Sequence, residues 1–499
     1  MSAPGLLYSA AQVRALDAYA IAQGTSGYAL MKRAGEAALR VLRSRWPTAM
    51  EITVVAGGGN NGGDGYVLAR FAQAAGLSAA VLAVRPPEQL QGDAANACGD
   101  FRSSGGRVLA WSAAQLPRTG VVVDALLGTG LSSAVRAPLT DVIQSVNGCG
   151  RPVLALDLPS GLNADSGAVM GSAVRADCTI SFVALKTGLF LGDGPEYAGR
   201  LLFDDLGVMP PEDGRFTAVL ERLAEGEINK ALPSRRRQAN KGDFGRVLII
   251  GGGPGMPGAV RLAGEACLRT GAGLVMIATW PENLSAIVAG RPELIVHAVT
   301  QPSALQPLLE SADVVAIGPG LGRSDWARAL LEHALACGRP LVLDADALNL
   351  LAEQQRAAPA GSVLTPHPGE AARLLQIDTA AVQADRLAAL RQLTVRHPGA
   401  VAVLKGAGTL IGCFDEHGLS PVPAICERGN PAMAAAGMGD VLTGAITGIL
   451  AQCRDPWLAA RAGVMAHALA GDELARDRER GILALELADG LSHWVNLRR

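Results

Sequence analysis

Residues 51–71 read Glu51-Ile52-Thr53-Val54-Val55-Ala56-Gly57-Gly58-Gly59-Asn60-Asn61-Gly62-Gly63-Asp64-Gly65-Tyr66-Val67-Leu68-Ala69-Arg70-Phe71, and they decide the fold of the first half of the chain. The first six form a short β-rich run. It breaks into a turn of glycine, asparagine and aspartate, after which residues 66–71 read as a helix. Strand, Gly-rich turn and helix, in that order, is the phosphate-binding unit of doubly wound α/β folds. Glycine lets the backbone approach a ligand closely, and the free N–H groups of a helix N-terminus attract anions.

The rhythm extends outward from this stretch. Val13, Leu16, Ala20, Leu30, Ala34, Ala38 and Leu42 fall at helical spacing before it. After it, residues 80–84, 108–109, 121–127, 153–158 and 178–182 read as further strands. Short apolar runs alternating with helical windows predict a mostly parallel sheet covered on both faces. In such sheets ligands bind beyond the carboxyl ends of the strands. Asn61, Asp124 and Asp157 each lie just past a strand end, so this topology brings them together. Their oxygens, with Ser160, are hard ligands suited to an alkali or alkaline-earth cation. Each carboxylate also fits the simpler role of a helix cap.

Composition narrows the class. At 499 residues, with 49% hydrophobic and 18% charged, the chain is long enough for two or three domains and too apolar for disorder. A net charge of −2 gives no basic signature, so nucleic acid is not an expected partner. The Arg235-Arg236-Arg237 run reads as a solvated linker. Eight cysteines without a CxxC pair predict reduced thiols in a cytoplasmic protein, not a zinc site. No apolar run reaches transmembrane length and the N-terminus carries no signal peptide, so no membrane association is expected.

Between residues 207 and 238 the pattern loosens, which places the domain join near residue 225, giving domains 1–224 and 225–499. The α/β rhythm then restarts. Residues 246–250 read as a buried strand, 251–255 as its glycine turn, and Ala259, Ala263, Ala266 and Leu268 as the face of a helix stopped by Gly271-Ala272-Gly273. Residues 313–317, 340–343, 363–365 and 401–404 are further strands, each capped by Gly or polar residues. Last comes Gly437-Met438-Gly439-Asp440 before an apolar helical run. A carboxylate at a helix N-terminus repels a phosphate unless it has other work, such as taking a proton from a hydroxyl that attacks the phosphate. The competing reading of Asp440 is an N-cap. His367, held between Pro366 and Pro368 at a strand end, is either structural or aimed at the cleft. Lys405, beside Gly406, Ala407 and Gly408, suits a phosphate contact.

In the first half, residues 58–65, 124–130 and 157–161 resemble the NAD(P)H-hydrate epimerase family over about residues 9–215. The resemblance implies that Asn60, Asn61, Gly62, Gly63 and Asp64, with Gly128, Thr129, Gly130, Leu131, Ser132, Ser133 and Ala134, hold a hydrated dinucleotide. It implies that Asn61, Asp124 and Ser160 bind potassium, that Asp157 is the acid–base group at the damaged ring, and that Lys186 supports the site. In the second half Gly-x-Gly-Asp alone fits many ribokinase-like sugar and vitamin kinases. Thr365-Pro366-His367-Pro368-Gly369-Glu370, with residues 318–322 and 344–349, is similar to the ADP- or ATP-dependent NAD(P)H-hydrate dehydratase family over about residues 240–490. By that resemblance Ala259, Gly320, Gly322, His367 and Asp440 meet the substrate. Lys405, Gly406, Ala407, Gly408, Thr409 and Gly439 meet the nucleotide.

The expected fold is therefore α/β with two doubly wound domains: an N-terminal Rossmann-like three-layer sandwich and a C-terminal ribokinase-like one. The expected activity is repair of the hydrates NADHX and NADPHX. The first domain would interconvert their R and S epimers with potassium. The second would dehydrate the S epimer at the expense of ADP with magnesium, releasing AMP and phosphate. A cytoplasmic homo-oligomer is expected. Two other functions fit parts of the pattern: a vitamin or sugar kinase fused to a nucleotide-binding module, and an N-terminal domain that binds without catalysis.

Overall fold

The computed structural model describes residues 5–211, 213–414 and 422–496. The chain divides into two compact units, Met1–Leu220 and Glu221–Arg499. Glu221 and Arg222 pair in parallel with Ala424 and Ile425, inside the second unit's own sheet.

The first unit is built on seven parallel strands. Edge to edge they are Arg107–Ala110, Ser78–Ala83, Glu51–Ala56, Val121–Ala125, Val153–Leu156, Cys178–Phe182 and Arg200–Asp204. Strand order reverses direction between Glu51–Ala56 and Val121–Ala125, which opens the crevice where doubly wound sheets bind ligands. Alternate residues face opposite layers. Ile52, Val54, Val121, Val123, Leu154 and Leu156 pack beneath the helices Ala10–Ala22, Gly27–Arg45, Asn60–Ala74 and Gly92–Ser103. Val55, Val122, Val153 and Ala155 pack on the other side against Val142, Ile143 and Val146 of the helix Leu139–Gly148. The unit is thus the three-layer sandwich expected.

One local expectation is corrected. The glycine–asparagine run is no turn beyond residue 59: the helix begins at Asn60. Its glycines let that helix lie directly on the strand ends. A Cβ on Gly62 would stand 2.2 Å from the Gly57 carbonyl oxygen, and one on Gly65 would stand 2.7 Å from the Ala125 Cβ.

The second unit's sheet runs Ile295–Ala298, Leu274–Thr279, Arg246–Ile250, Val314–Ile317, Leu341–Leu343, Val363–Leu364, Val401–Leu404, Thr409–Cys413, Ala424–Cys426 and Leu220–Arg222. The first seven are parallel, and Thr409–Cys413 is antiparallel to both its neighbours. The switch point lies between Arg246–Ile250 and Val314–Ile317. One face, carrying Val247, Ile249, Val314 and Ala316, is covered by the helices Pro257–Arg269, Met438–Cys453, Pro456–Leu474 and Ala484–Trp494. The alternate set Leu248, Ile250, Val315 and Ile317 is buried as well. On that side Asp325–Leu335 and Arg386–Arg396 pack against the strands Val314–Ile317 and Val401–Leu404. Among the described residues no helix is long and apolar enough to cross a membrane.

The helices Pro257–Arg269 and Met438–Cys453 cross at Gly444. A Cβ there would lie 2.1 Å from the Ala263 carbonyl oxygen and 2.7 Å from the Ala266 Cβ. Gly444→Ala is expected to destabilise the protein by about 1–3 kcal/mol through overpacking. A urea transition that keeps its midpoint would contradict so close a crossing.

Candidate active sites

In the first unit the chemistry begins at Asp124, fully buried at the end of its strand. Its Oδ1 accepts the Ser160 hydroxyl at 2.6 Å and the Leu126 N–H at 3.2 Å, while its Oδ2 accepts the Ser160 N–H at 2.8 Å. Burial raises its pKa to about 6 even though these donors pull the other way. The Leu127 N–H donates to Ser160 Oγ at 2.8 Å, and the Asn61 amide donates to the Leu127 carbonyl at 2.9 Å. That leaves Asn61 Oδ1 buried with no hydrogen-bond partner among the described residues. An orphaned amide oxygen in the same network as a buried carboxylate is costly as it stands. A cation that takes oxygen ligands would satisfy both.

The neighbouring strand ends carry the second feature. Asp157 has φ 67° and Val183 φ 65°. Each centres a γ-turn: the Leu158 N–H donates to the Leu156 carbonyl at 2.8 Å, and the Ala184 N–H to the Phe182 carbonyl at 2.7 Å. Such conformations cost about 1–3 kcal/mol per non-glycine residue and cluster at functional sites. Here they turn the Asp157 carboxylate onto Lys186. The Lys186 Nζ is ion-paired with Asp157 Oδ1, and it also donates to the Phe182 carbonyl at 2.8 Å and to Ser181 Oγ at 3.2 Å. Lys186 is 1% exposed, so Asp157 has a fixed positive partner.

Two further carboxyls interact with this pair. Burial, followed by the charges of Asp157 and Asp17, pushes Asp64 well above the ordinary carboxylate range. Burial also raises Asp17 to about 6, with Lys186 opposing and Asp157 adding. Asp17 lies one turn from Arg14 on the helix Ala10–Ala22, and Arg14 Nη1 donates to the Thr129 carbonyl at 3.0 Å. That helix face therefore covers the cleft. Asp17 was not picked out from the sequence, where it is only a charge within an apolar helical pattern. Of the residues expected to hold the substrate, Gly128 sits against Asn61, whereas Gly130, Ser132, Ser133 and Ala134 lie on an exposed loop.

In the second unit Asp440 occupies the first turn of the helix Met438–Cys453. The N-cap is Gly437, left-handed at φ 87° and without a capping side chain, so the N-cap reading of Asp440 is set aside. Burial, then the charge of Asp344, raises Asp440 to about 7, with Lys405 opposing. Asp344 itself is 1% exposed. Its Oδ1 accepts from Lys405 Nζ and from the Thr365 hydroxyl, both at 2.8 Å, and its Oδ2 accepts from the Thr443 hydroxyl at 2.7 Å. Burial alone would raise it, but the Lys405 ammonium and these hydroxyls outweigh burial and hold it below the ordinary value. Lys405 also lies 3.9 Å from Glu370 Oε2. A Cβ on Gly439 would be 3.3 Å from its ammonium. The lysine thus stands at the mouth of the helix next to Asp440.

His367 caps the helix Pro368–Leu375. Its Nδ1 accepts the Gly369 N–H at 3.0 Å and the Glu370 N–H at 3.3 Å, which leaves Nε2 as the protonated nitrogen. Burial and the Lys405 charge keep its pKa below the usual histidine value. It is therefore a neutral donor. At the switch point the Gly253 N–H donates to the Gly320 carbonyl at 2.6 Å, and a Cβ on Gly320 would be 3.1 Å from the Ala259 Cβ. The Gly322 N–H donates to Asp346 Oδ2 at 2.8 Å. The charge of Asp346 in turn reaches Asp440, which links this set to the helix mouth. Asp344 and Glu370 stand in the motifs read from the sequence but were assigned no role there. Their place beside strand ends was the available signal.

The fold and these clefts define a two-domain α/β enzyme whose second domain is ribokinase-like. Residues 27–188 match the family described as YjeF-related protein N-terminus, and residues 247–493 match that described as NAD(P)H-hydrate dehydratase. The bifunctional NAD(P)H-hydrate repair enzyme Nnr of Coxiella burnetii is 48% identical over 98% of this chain and 99% of its own length. The enzyme of the same name from Escherichia coli is 44% identical over 95% of this chain and 90% of its own. Among solved structures, a ribokinase-like superfamily protein from Enterococcus faecalis V583 aligns with a TM-score of 0.51 at 30% identity, covering 56% of this chain and 96% of that one. This chain belongs to the family of bifunctional NAD(P)H-hydrate repair enzymes. A vitamin or sugar kinase carrying a passive N-terminal module is not favoured, since whole-length relatives are repair enzymes.

If Asp440, whose pKa is raised to about 7, serves as the base, it leaves a kinetic trace. The kcat/KM of the second domain should fall on the acid side with an apparent pKa near that value, because the carboxylate must be ionised to accept a proton. A profile that stays flat down to pH 5 would contradict Asp440 as the base.

Proposed function

We propose that the first domain epimerises R- and S-NAD(P)HX and that the second dehydrates the S epimer with ADP, releasing AMP and phosphate. The observation that carries this reading is Asp440, an uncapping carboxylate with a raised pKa at a helix mouth, flanked by Lys405 and Asp344. Hydroxide is a poor leaving group. Asp440 takes the proton of the substrate hydroxyl as its oxygen attacks the phosphoryl group carried by the nucleotide. The N–H groups of the helix start and the Lys405 ammonium stabilise the transferred charge. The ring nitrogen lone pair then expels phosphate to leave an iminium, and loss of a proton from the adjacent ring carbon to solvent restores the ring double bond. Magnesium arrives with the nucleotide as part of the substrate.

In the first domain Asp157, oriented by Lys186, is the acid–base group at the hydrated carbon. Asp17 and Asp64 are the carboxyls in the same cleft that retain protons at higher pH. The orphaned Asn61 Oδ1, with Asp124, Ser160 and the Leu127 carbonyl, fits potassium. When bound, that ion supplies a fixed positive charge for the dinucleotide phosphates. All eight cysteines are free, as suits a reducing cytoplasm.

Racemic hydrate incubated with ADP and magnesium is the direct assay. All of it should regain reduced-nicotinamide absorbance. Asp157→Ala should stop conversion near half, apart from slow spontaneous epimerisation, and exchanging potassium for tetramethylammonium should slow the second half alone. No regain of absorbance, or accumulation of a stable phosphorylated product, would contradict the reading.

A further inference from the structure

Arg386 opens the helix Arg386–Arg396 and is 6% exposed. Among the described residues no carboxylate pairs with it, and its Nε is buried without a partner. An arginine buried on these terms needs a reason, because burying a charge without its counter-charge is costly. Its guanidinium is spent instead on one loop. Nη2 donates to the Leu404 carbonyl at 3.1 Å and the Lys405 carbonyl at 3.2 Å, and Nη1 donates to the Ala407 carbonyl. The loop is wrapped tightly on the arginine: Gly406 has φ 142°, and a Cβ there would lie 2.9 Å from Nη2.

Those bonds determine where the loop's donors point. A carbonyl and the following N–H belong to one planar trans peptide and face opposite ways. With the Lys405 and Ala407 carbonyls turned onto the guanidinium, the N–H groups of Gly406 and Gly408 face away from it. Neither has an acceptor among the described residues. Two outward N–H groups from alternate residues of a tight loop form an anion cradle. The buried cation behind them adds a positive field that no paired carboxylate among the described residues cancels.

We propose that Arg386 is a positioning residue for the nucleotide: it holds the loop 404–408 so that the Gly406 and Gly408 N–H groups meet an anionic nucleotide. This rests on the reading of residues 405–409 as the nucleotide site. Lysine would keep the charge but cannot span three carbonyls, because it lacks the planar fork.

Two measurements on the full-length protein separate the inference from the reading beneath it. Hydrogen exchange at the Gly406 and Gly408 amides of the wild type should slow when ADP and magnesium are added. Unchanged exchange would overturn the nucleotide-site reading itself. Arg386→Lys and Arg386→Gln should each raise the KM for ADP by about tenfold, the equivalent of one or two lost charge-assisted bonds. Their kcat at saturating ADP and their KM for the hydrate should stay within about twofold, since uniform binding alone is lost. Amides protected in the wild type, with the KM for ADP unchanged in Arg386→Lys, would overturn the inference and leave the site reading standing. A fall in kcat together with both KM values rising would mark a packing role and also overturn it. Arg386→Lys keeps the test decisive if the glutamine variant fails to fold.

Discussion

Four elements of the second domain meet at one buried carboxylate. Asp344 follows the strand Leu341–Leu343, Thr365 follows Val363–Leu364, Lys405 follows Val401–Leu404, and Thr443 stands on the helix Met438–Cys453. All three partners donate to Asp344. A buried carboxylate is tolerable only with such a full set of donors, and loss of Lys405 would leave the negative charge unpaired in the interior. The arrangement therefore sets the spacing of three strand ends and a helix start at once. It also makes the chemistry possible. Asp344 holds Lys405 at the helix mouth, and its own negative charge helps to raise Asp440 toward neutrality. Burial is the larger cause of the raised Asp440 pKa; Asp344 adds to it and at the same time fixes the cation beside it.

The first domain solves a related problem in another way. Among the described residues its buried Asp124 has neutral donors only, and the network ends on an amide oxygen that none of them satisfies. The deficit invites a mobile cation in the place where the second domain has a lysine. Asp157 has its lysine, yet reaches it through two neighbouring γ-turns with positive φ. Backbone strain there does the positioning that rigid hydrogen bonding does at Asp344.

Legibility of the chain follows the same physics. The strands Glu51–Ala56, Cys178–Phe182 and Arg246–Ile250 are readable to the residue because unbroken apolar runs between polar breaks have one comfortable conformation. The edge strands Ile295–Ala298 and Arg200–Asp204 escape, since half-exposed edges carry His297 or charged ends. Glycine has poor helix propensity, so the start of the helix at Asn60 is hidden; close packing on the strand ends overrides that preference. Strand ends pointed to Asn61, Asp124, Asp157 and Lys405, and the Gly-x-Gly-Asp turn before an apolar helical run pointed to Asp440. The γ-turns at Asp157 and Val183 have no sequence signature, and neither does the inward turn of Asp17 or Arg386 from their helices. Those depend on what lies opposite in three dimensions.

On the proposed mechanism Asp440 activates the substrate hydroxyl for phosphoryl transfer, so that phosphate and not hydroxide leaves. The fate of that hydroxyl oxygen decides it. With the hydroxyl of S-NADHX labelled with heavy oxygen, and ADP and magnesium supplied, one labelled oxygen is expected in every inorganic phosphate released and none in water. Label appearing in water, with unlabelled phosphate, would mean direct dehydration and would rule out phosphoryl transfer to the hydroxyl.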